Sequence, residues 1–153
     1  MKVFLVRHAD AGDRATWQGD DRQRPLSQKG RAQAAGLVRL LAGERVGRIV
    51  SSPFIRCVQT VEPLGAAENV GVESLPALAE GSDWHEALAL ALDARVPMLM
   101  CSQGDVIGDF VSNLVARGLV QPEGARAQKA STWVLSVEGK RVTAAEYLPP
   151  PRD

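Results

Sequence analysis

The sequence predicts an α/β protein: a three-layer α/β/α sandwich around a mostly parallel sheet, with an antiparallel edge strand. Three observations carry that expectation. Short runs rich in apolar, β-favouring residues recur at Val3–Val6, Val46–Ser51 and Val96–Cys101 and read as strands, the first buried on both faces and the last fully apolar. Stretches with apolar residues at helical spacing lie between them, and strands alternating with helices build a parallel sheet. The chain then closes on two β-rich stretches, Ser131–Val137 and Arg141–Tyr147, joined at Glu138-Gly139-Lys140 as a hairpin.

The first strand runs straight into Arg7 and His8. A polar stretch, Asp10 to Arg24, follows; it reads either as a solvated loop or as a flap over the sheet rim, with Trp17, Arg14 and Arg24 on it. Ser27 is placed to cap the first helix, whose stripe is Ala32, Ala35, Leu37, Val38, Leu40 and Leu41 and which Gly43 or Gly47 stops. After the second strand, Ser52 is expected to cap the next helix with Pro53 at its first position. Pro63 is expected to bend or end that helix. Val70–Leu75 forms a weak third strand, Pro76–Ser82 a loop, and Asp83 caps a helix reaching about Ala94. Ser102-Gln103-Gly104 makes a turn after the fourth strand, and the last helix carries Val106, Ile107, Phe110, Val111, Leu114 and Val115. Gly118–Lys129 is a linker. Residues 1–148 form one domain, and 149–153 are expected to be a flexible tail.

Composition narrows the function classes. Lys+Arg and Asp+Glu both number 18, so the formal net charge is zero, and neither nucleic acid nor an anionic membrane is indicated as a partner. No apolar stretch approaches the ~20 residues of a membrane span. Cys57 and Cys101 lack metal or redox spacing and are expected as reduced thiols in a cytoplasmic protein. Two histidines make a histidine-rich metal site improbable, and no cofactor is called for. Oligomeric state is not legible.

The carboxyl ends of parallel strands share one rim, where α/β sheets bind ligands. Arg7 and His8, then Ser51, Ser52 and Arg56, then Glu80, then Ser102, Gln103 and Gly104 are expected there. Two arginines are fixed forks suited to phosphate oxygens, and helix N-termini add N–H donors. A neutral imidazole between them could attack phosphorus, and a carboxylic acid could protonate the leaving oxygen. Glu73, Asp83 and Glu86 compete with Glu80 for that last role.

The segments LVRHA (5–9), RPLSQKG (24–30), SSPFIRCVQT (51–60) and LPALAEG (75–81) resemble the histidine phosphatase superfamily of phosphoglycerate mutases and acid phosphatases. The chain is most similar to the small bacterial branch of SixA-like phosphohistidine phosphatases, and to the phosphatase domain that follows a Nudix domain in some actinobacterial proteins. The resemblance extends to KASTWVL (129–135). It implies His8 as nucleophile, Arg7 and Arg56 as phosphate ligands and Glu80 as proton donor, with a phosphorylated protein, metabolite or nucleotide as substrate. One departure stands out. The family's second histidine, in a turn resembling SHG or GHG, is replaced by Gln103; a CSQG turn is the expectation for the actinobacterial type. Glutamine carries no charge, and losing a charged donor to the transition state costs on the order of 3 kcal/mol. Arg24 or Lys129 could compensate in part, and Ser102, Ser131 and Thr132 could reach the rim. The alternative is a phosphate- or phosphoprotein-binding module with little turnover. An unrelated receiver-like α/β domain ranks last, because the first strand is not followed by an acidic cluster.

Overall fold

A computed structural model describes residues 1–152. Six strands form one sheet in the order β3-β2-β4-β1-β5-β6. These are β1 (Lys2–Arg7), β2 (Arg48–Ser51), β3 (Val72–Ser74), β4 (Met98–Ser102), β5 (Thr132–Glu138) and β6 (Arg141–Leu148). The first four run parallel; β5 runs against β1, and β6 returns at the edge. Four helices complete the layers: α1 (Gln28–Leu40), α2 (Ile55–Glu68), α3 (Trp84–Leu92) and α4 (Gly104–Ala116).

The alternation of side chains along the central strands divides the core in two. Val3 and Leu5 of β1, with Met98 and Met100 of β4, join Phe110 and Leu114 of α4 on one face. Phe4, Val6, Leu99 and Cys101 point the other way, to Leu37 of α1 and Val61 and Leu64 of α2. Burial on both faces is why β1 and β4 read as unbroken apolar runs. A third cluster of Ala9, Ala11, Leu26, Ala34 and Ala130 lies beneath the rim and seats the 10–24 segment.

Local signals behave unevenly. Ser27 and Asp83 cap α1 and α3 as expected, their side chains accepting from Gly30 N and His85 N. Ser52 does not cap α2. Its hydroxyl accepts from Phe54 N at 3.2 Å, which pushes the helix start to Ile55, and Phe54 is the cap without a side-chain bond. Pro63 does not end α2, which continues to Glu68 and stops at Asn69 in the left-handed conformation (φ 57°). The third strand shrinks to three residues. Within the predicted linker, Pro122–Gly124 forms a 3-10 turn. Pro151 lies against α1 where Gly36 has no side chain; Asp153 lies outside the described residues. None of the described helices is long and apolar enough to cross a membrane.

Candidate active site

The register of β1 with β4 places Arg7 opposite Ser102, and His8 N donates to Ser102 O at 3.1 Å. Arg7 and His8 therefore leave the sheet centre beside the N-terminus of α4. A cleft of about 670 Å³ opens there. Five cations line it (Arg7, Arg14, Arg24, Arg56 and Lys129), with three carboxylates, Asp13, Glu80 and Asp105. His8, Gly12 and Gly104 complete the wall.

His8 is only 5% exposed. Its Nδ1 lies 2.7 Å from Ala9 O. A carbonyl can only accept, so Nδ1 carries the proton and Nε2 keeps a free lone pair. Burial, followed by the charges of Arg56, Arg7 and Lys129, outweighs the Ala9 contact and pulls the imidazole pKa down to about 4. It is neutral at pH 7, the form a nucleophile needs.

The arginines on either side are held by protein oxygens. Arg7 Nη1 donates to Ala127 O at 2.7 Å, and the guanidinium lies over Gly104. Arg56 is completely buried, stacked 4.9 Å from the Phe54 ring centre. Its Nη1 donates to Asp21 O (2.8 Å) and its Nη2 to Asp21 Oδ2 (3.0 Å) and Glu80 Oε1 (3.3 Å). In both residues Nε is buried with no partner. The Gln103 carboxamide, at the head of α4 and 1% exposed, also lacks any partner for Oε1 or Nε2. Thr132 Oγ1 is a further orphan. Of these residues Arg7 and Arg56 line the cleft, whereas Gln103, expected there as a substrate ligand, is buried behind its wall. Buried polar groups are nearly always satisfied, so the two Nε groups are the mark of a polar ligand position.

Among the competing carboxylates, only Glu80 lies in the cleft. Arg14 Nη2 donates to both its oxygens, at 2.9 and 3.1 Å. Glu73 pairs with Arg48, Asp83 caps α3, and Glu86 lies in the first turn of α3. The Glu80 loop is pinned from below: Gly81 N donates to Asp105 Oδ2 at 2.7 Å.

Other expectations meet different outcomes. Arg24 and Lys129 line the cleft. Ser102 does not: it is fully buried and its hydroxyl donates to Leu78 O at 2.6 Å, so it braces the loop that carries Glu80. Ser131 and Thr132 are buried away from the cleft wall, the Ser131 hydroxyl bonded to Gln128 O. His85 is exposed, stacked on Trp84 and bonded to Asp83, away from the cleft wall. Trp84 and Trp133 pack against Phe110 and Tyr147. The 10–24 segment is a true wall of the cleft, through Gly12, Asp13, Arg14 and Arg24. Asp21 is the residue that sequence reasoning passed over. Its signal was there, a carboxylate three positions before Arg24 in DDRQR, but its link to Arg56 spans 35 residues. No group of three or more His, Cys, Asp or Glu among the described residues could hold a metal ion.

A parallel sheet that sets a neutral imidazole with a free Nε2 lone pair near two arginines, one half-buried and one fully buried, along its carboxyl rim defines a cationic pocket with an unprotonated ring nitrogen in it. Comparison with known proteins specifies it. A model of the histidine phosphatase superfamily (branch 1) matches residues 3–97, and the chain belongs to that superfamily. It is 37% identical over 155 residues to an 8-oxo-(d)GTP phosphatase of Mycolicibacterium smegmatis, covering 97% of this chain and 48% of that protein. It is 36% identical over 87 residues to the phosphohistidine phosphatase SixA of Escherichia coli, covering 54% and 52%. The chain thus aligns with about half the length of these curated relatives. In fold it is similar to the putative phosphohistidine phosphatase SixA of Agrobacterium tumefaciens (TM-score 0.79, 22% identity, 97% of each chain). A SixA protein histidine phosphatase complexed with tungstate matches with TM-score 0.76 and 24% identity over 99% and 96% of the chains.

Proposed function

We propose that this chain is a phosphatase that hydrolyses a phosphomonoester or phosphoramidate through a phosphohistidine on His8. The observation that carries the reading is the pair of orphaned Nε donors, on Arg7 and Arg56, beside an imidazole whose Nε2 is unprotonated. The N–H groups bind the phosphoryl oxygens, and the Nε2 lone pair attacks phosphorus while the bond to the leaving group breaks. Glu80 gives a proton to the leaving atom once the phosphoryl group has displaced its oxygens from Arg14 and Arg56. Water then attacks the phosphohistidine, Glu80 takes the water's proton, and His8 regains its lone pair as phosphate departs. Charge and positioning supply most of such an acceleration. The Nδ1–Ala9 bond keeps the ring in one tautomer throughout.

The substrate is a phosphohistidine protein, a nucleotide or another small phosphorylated metabolite, consistent with the named activities of the relatives. Free, buried Cys57 and Cys101 favour a reducing compartment, and we infer a cytoplasmic location. Rapid quenching after mixing with radiolabelled phosphohistidine protein, nucleoside diphosphate and sugar phosphate tests the mechanism. Acid-labile, alkali-stable label on the protein is expected with one of them. Turnover without such label overturns it.

Gln103 favours a second reading, a phosphate- or phosphoprotein-binding module with little turnover, because a buried carboxamide offers a donor without charge. The variant Gln103→His separates the two. A gain in kcat of about a hundredfold marks the natural chain as catalytically weakened, since one charged donor is worth that much. A loss marks Gln103 as tuned to its own substrate.

A further inference from the structure

We propose that Asp21 is a positioning residue, which turns the Arg56 guanidinium so that its Nε–H faces the bound phosphoryl group. The proposal rests on the reading of Arg56 as a phosphoryl ligand. A guanidinium has two edges on which an oxygen pair can sit. Asp21 occupies the outer one, with its carbonyl on Nη1 and Oδ2 on Nη2. That leaves Nε as the Arg56 nitrogen without a partner. The same carboxylate reaches two further cations. Its Oδ1 accepts from Arg24 Nε at 2.9 Å, and its Oδ2 lies 3.4 Å from Arg14 Nη2. Arg24 is fastened in turn to Ala11 O at 2.6 Å. One carboxylate of the 10–24 segment thereby fixes the buried arginine of α2 and aligns two more cations along the cleft wall.

Its charge state suits that work. Burial raises the Asp21 carboxyl pKa, but the hydrogen bond from Arg24 and the charges of Arg56, Arg14 and Arg24 outweigh it, so the net shift is downward. An ionised Asp21 also brings a negative charge close to a site for anions. Such placement is counterproductive unless orientation is worth more than the repulsion. Glu80 holds Arg56 only at 3.3 Å and from one oxygen, so it cannot substitute as the anchor.

A mere brace of the loop and a residue acting through Arg56 differ in one measurable respect. The full chain, Asp21→Asn, Arg56→Lys and the double variant are titrated with inorganic phosphate by calorimetry and assayed with p-nitrophenyl phosphate, with thermal unfolding as the folding control. Asp21→Asn is expected to weaken phosphate binding and lower kcat/KM by roughly 10- to 100-fold when Arg56 is present, the size of loss that follows removal of the partner orienting a metal ligand. In the Arg56→Lys background, where no fork remains to orient, its effect should shrink to less than about threefold. Asp21→Glu, which keeps the charge, should recover part of the loss and serves if the asparagine variant does not fold. Equal losses in both backgrounds make Asp21 a brace only, and tighter phosphate binding makes it a repelling charge only; either overturns the proposal. If the unaltered chain binds no phosphate and Arg56→Lys changes nothing, the reading of the phosphoryl site fails first and this inference falls with it.

Discussion

Replacing His8 with alanine is expected to abolish phosphoenzyme formation and to lower kcat by roughly four to six orders of magnitude, as loss of a catalytic nucleophile does elsewhere. No neighbouring group can take over. His85 is exposed on α3, and the two thiols are buried in the core between the sheet and helices α1 and α2, where burial pushes the Cys101 thiol up. Residual hydrolysis within tenfold of the unaltered chain would sink the mechanism. The same substitution has a signature in stability. The unfolded imidazole takes a proton near 6.5, whereas the folded one resists it until about 4. His8's contribution is thus fully present above pH 6.5 and is lost as the pH falls toward 4, because the unfolded chain binds the proton first. The loss amounts to roughly 3 kcal/mol at most. Urea unfolding between pH 7 and 4.5 should show that slope in the natural chain and a shallower one in His8→Ala. For the same reason kcat/KM should not fall through pH 6 to 7 on account of His8; a limb near 6.5 that vanishes with no other group would contradict a neutral, buried nucleophile.

The second large effect is expected from Gly104→Ala, and it should separate activity from stability. A Cβ at this position would lie 2.8 Å from Arg7 Cζ, 2.9 Å from Nη2 and 3.0 Å from Nε. Such distances are too short, so the guanidinium must move. It has little freedom to do so, since Nη1 is tied to Ala127 O. The Nε–H is the part that leaves its place, and with it one phosphoryl donor. A drop in kcat/KM on the order of a hundredfold follows, with weaker inhibition by inorganic phosphate. Folding should be spared. Position 104 opens α4 with an ordinary helical backbone, the obstacle is the end of a side chain, and alanine favours a helix over glycine by up to about 1 kcal/mol. An unfolding temperature that stays level or rises, alongside the lost activity, is the expected pair of results. Unchanged kcat/KM would mean that Arg7 does not contact the substrate through this edge.

What could be read in the sequence was whatever depends on near neighbours or on the sheet's period. The β1 and β4 runs, the Ser27 and Asp83 caps and the rim position of His8 all follow from spacing within a few residues. Arg56 was legible only through the company of SSPFIRCVQT, since a lone helical arginine has no reason to be buried. The errors share a different cause. Ser52 and Ser102 look like cap and ligand by residue type, yet their hydroxyls are claimed by Phe54 N and by Leu78 O, the second 24 positions away. Asp21 and Gly104 gain their meaning from Arg56 and Arg7, which only the folded chain brings beside them. Gln103 was found by a departure from the family's motif, and its want of any partner appears only in three dimensions.

The formal charge of the whole chain is zero, yet five of its cations and only three carboxylates face one cleft. Two more carboxylates stand directly behind those cations, Asp21 against Arg56 and Arg24, and Asp10 3.9 Å from Lys129, which brings the signs to five of each. The rim is therefore close to neutral at a distance and charged only at close range. An arriving phosphoryl group would meet cations that already hold anions, and would enter by exchange, displacing the Glu80 oxygens from Arg14. Exchange of this kind acts at contact distance and is screened by salt far less than long-range attraction is.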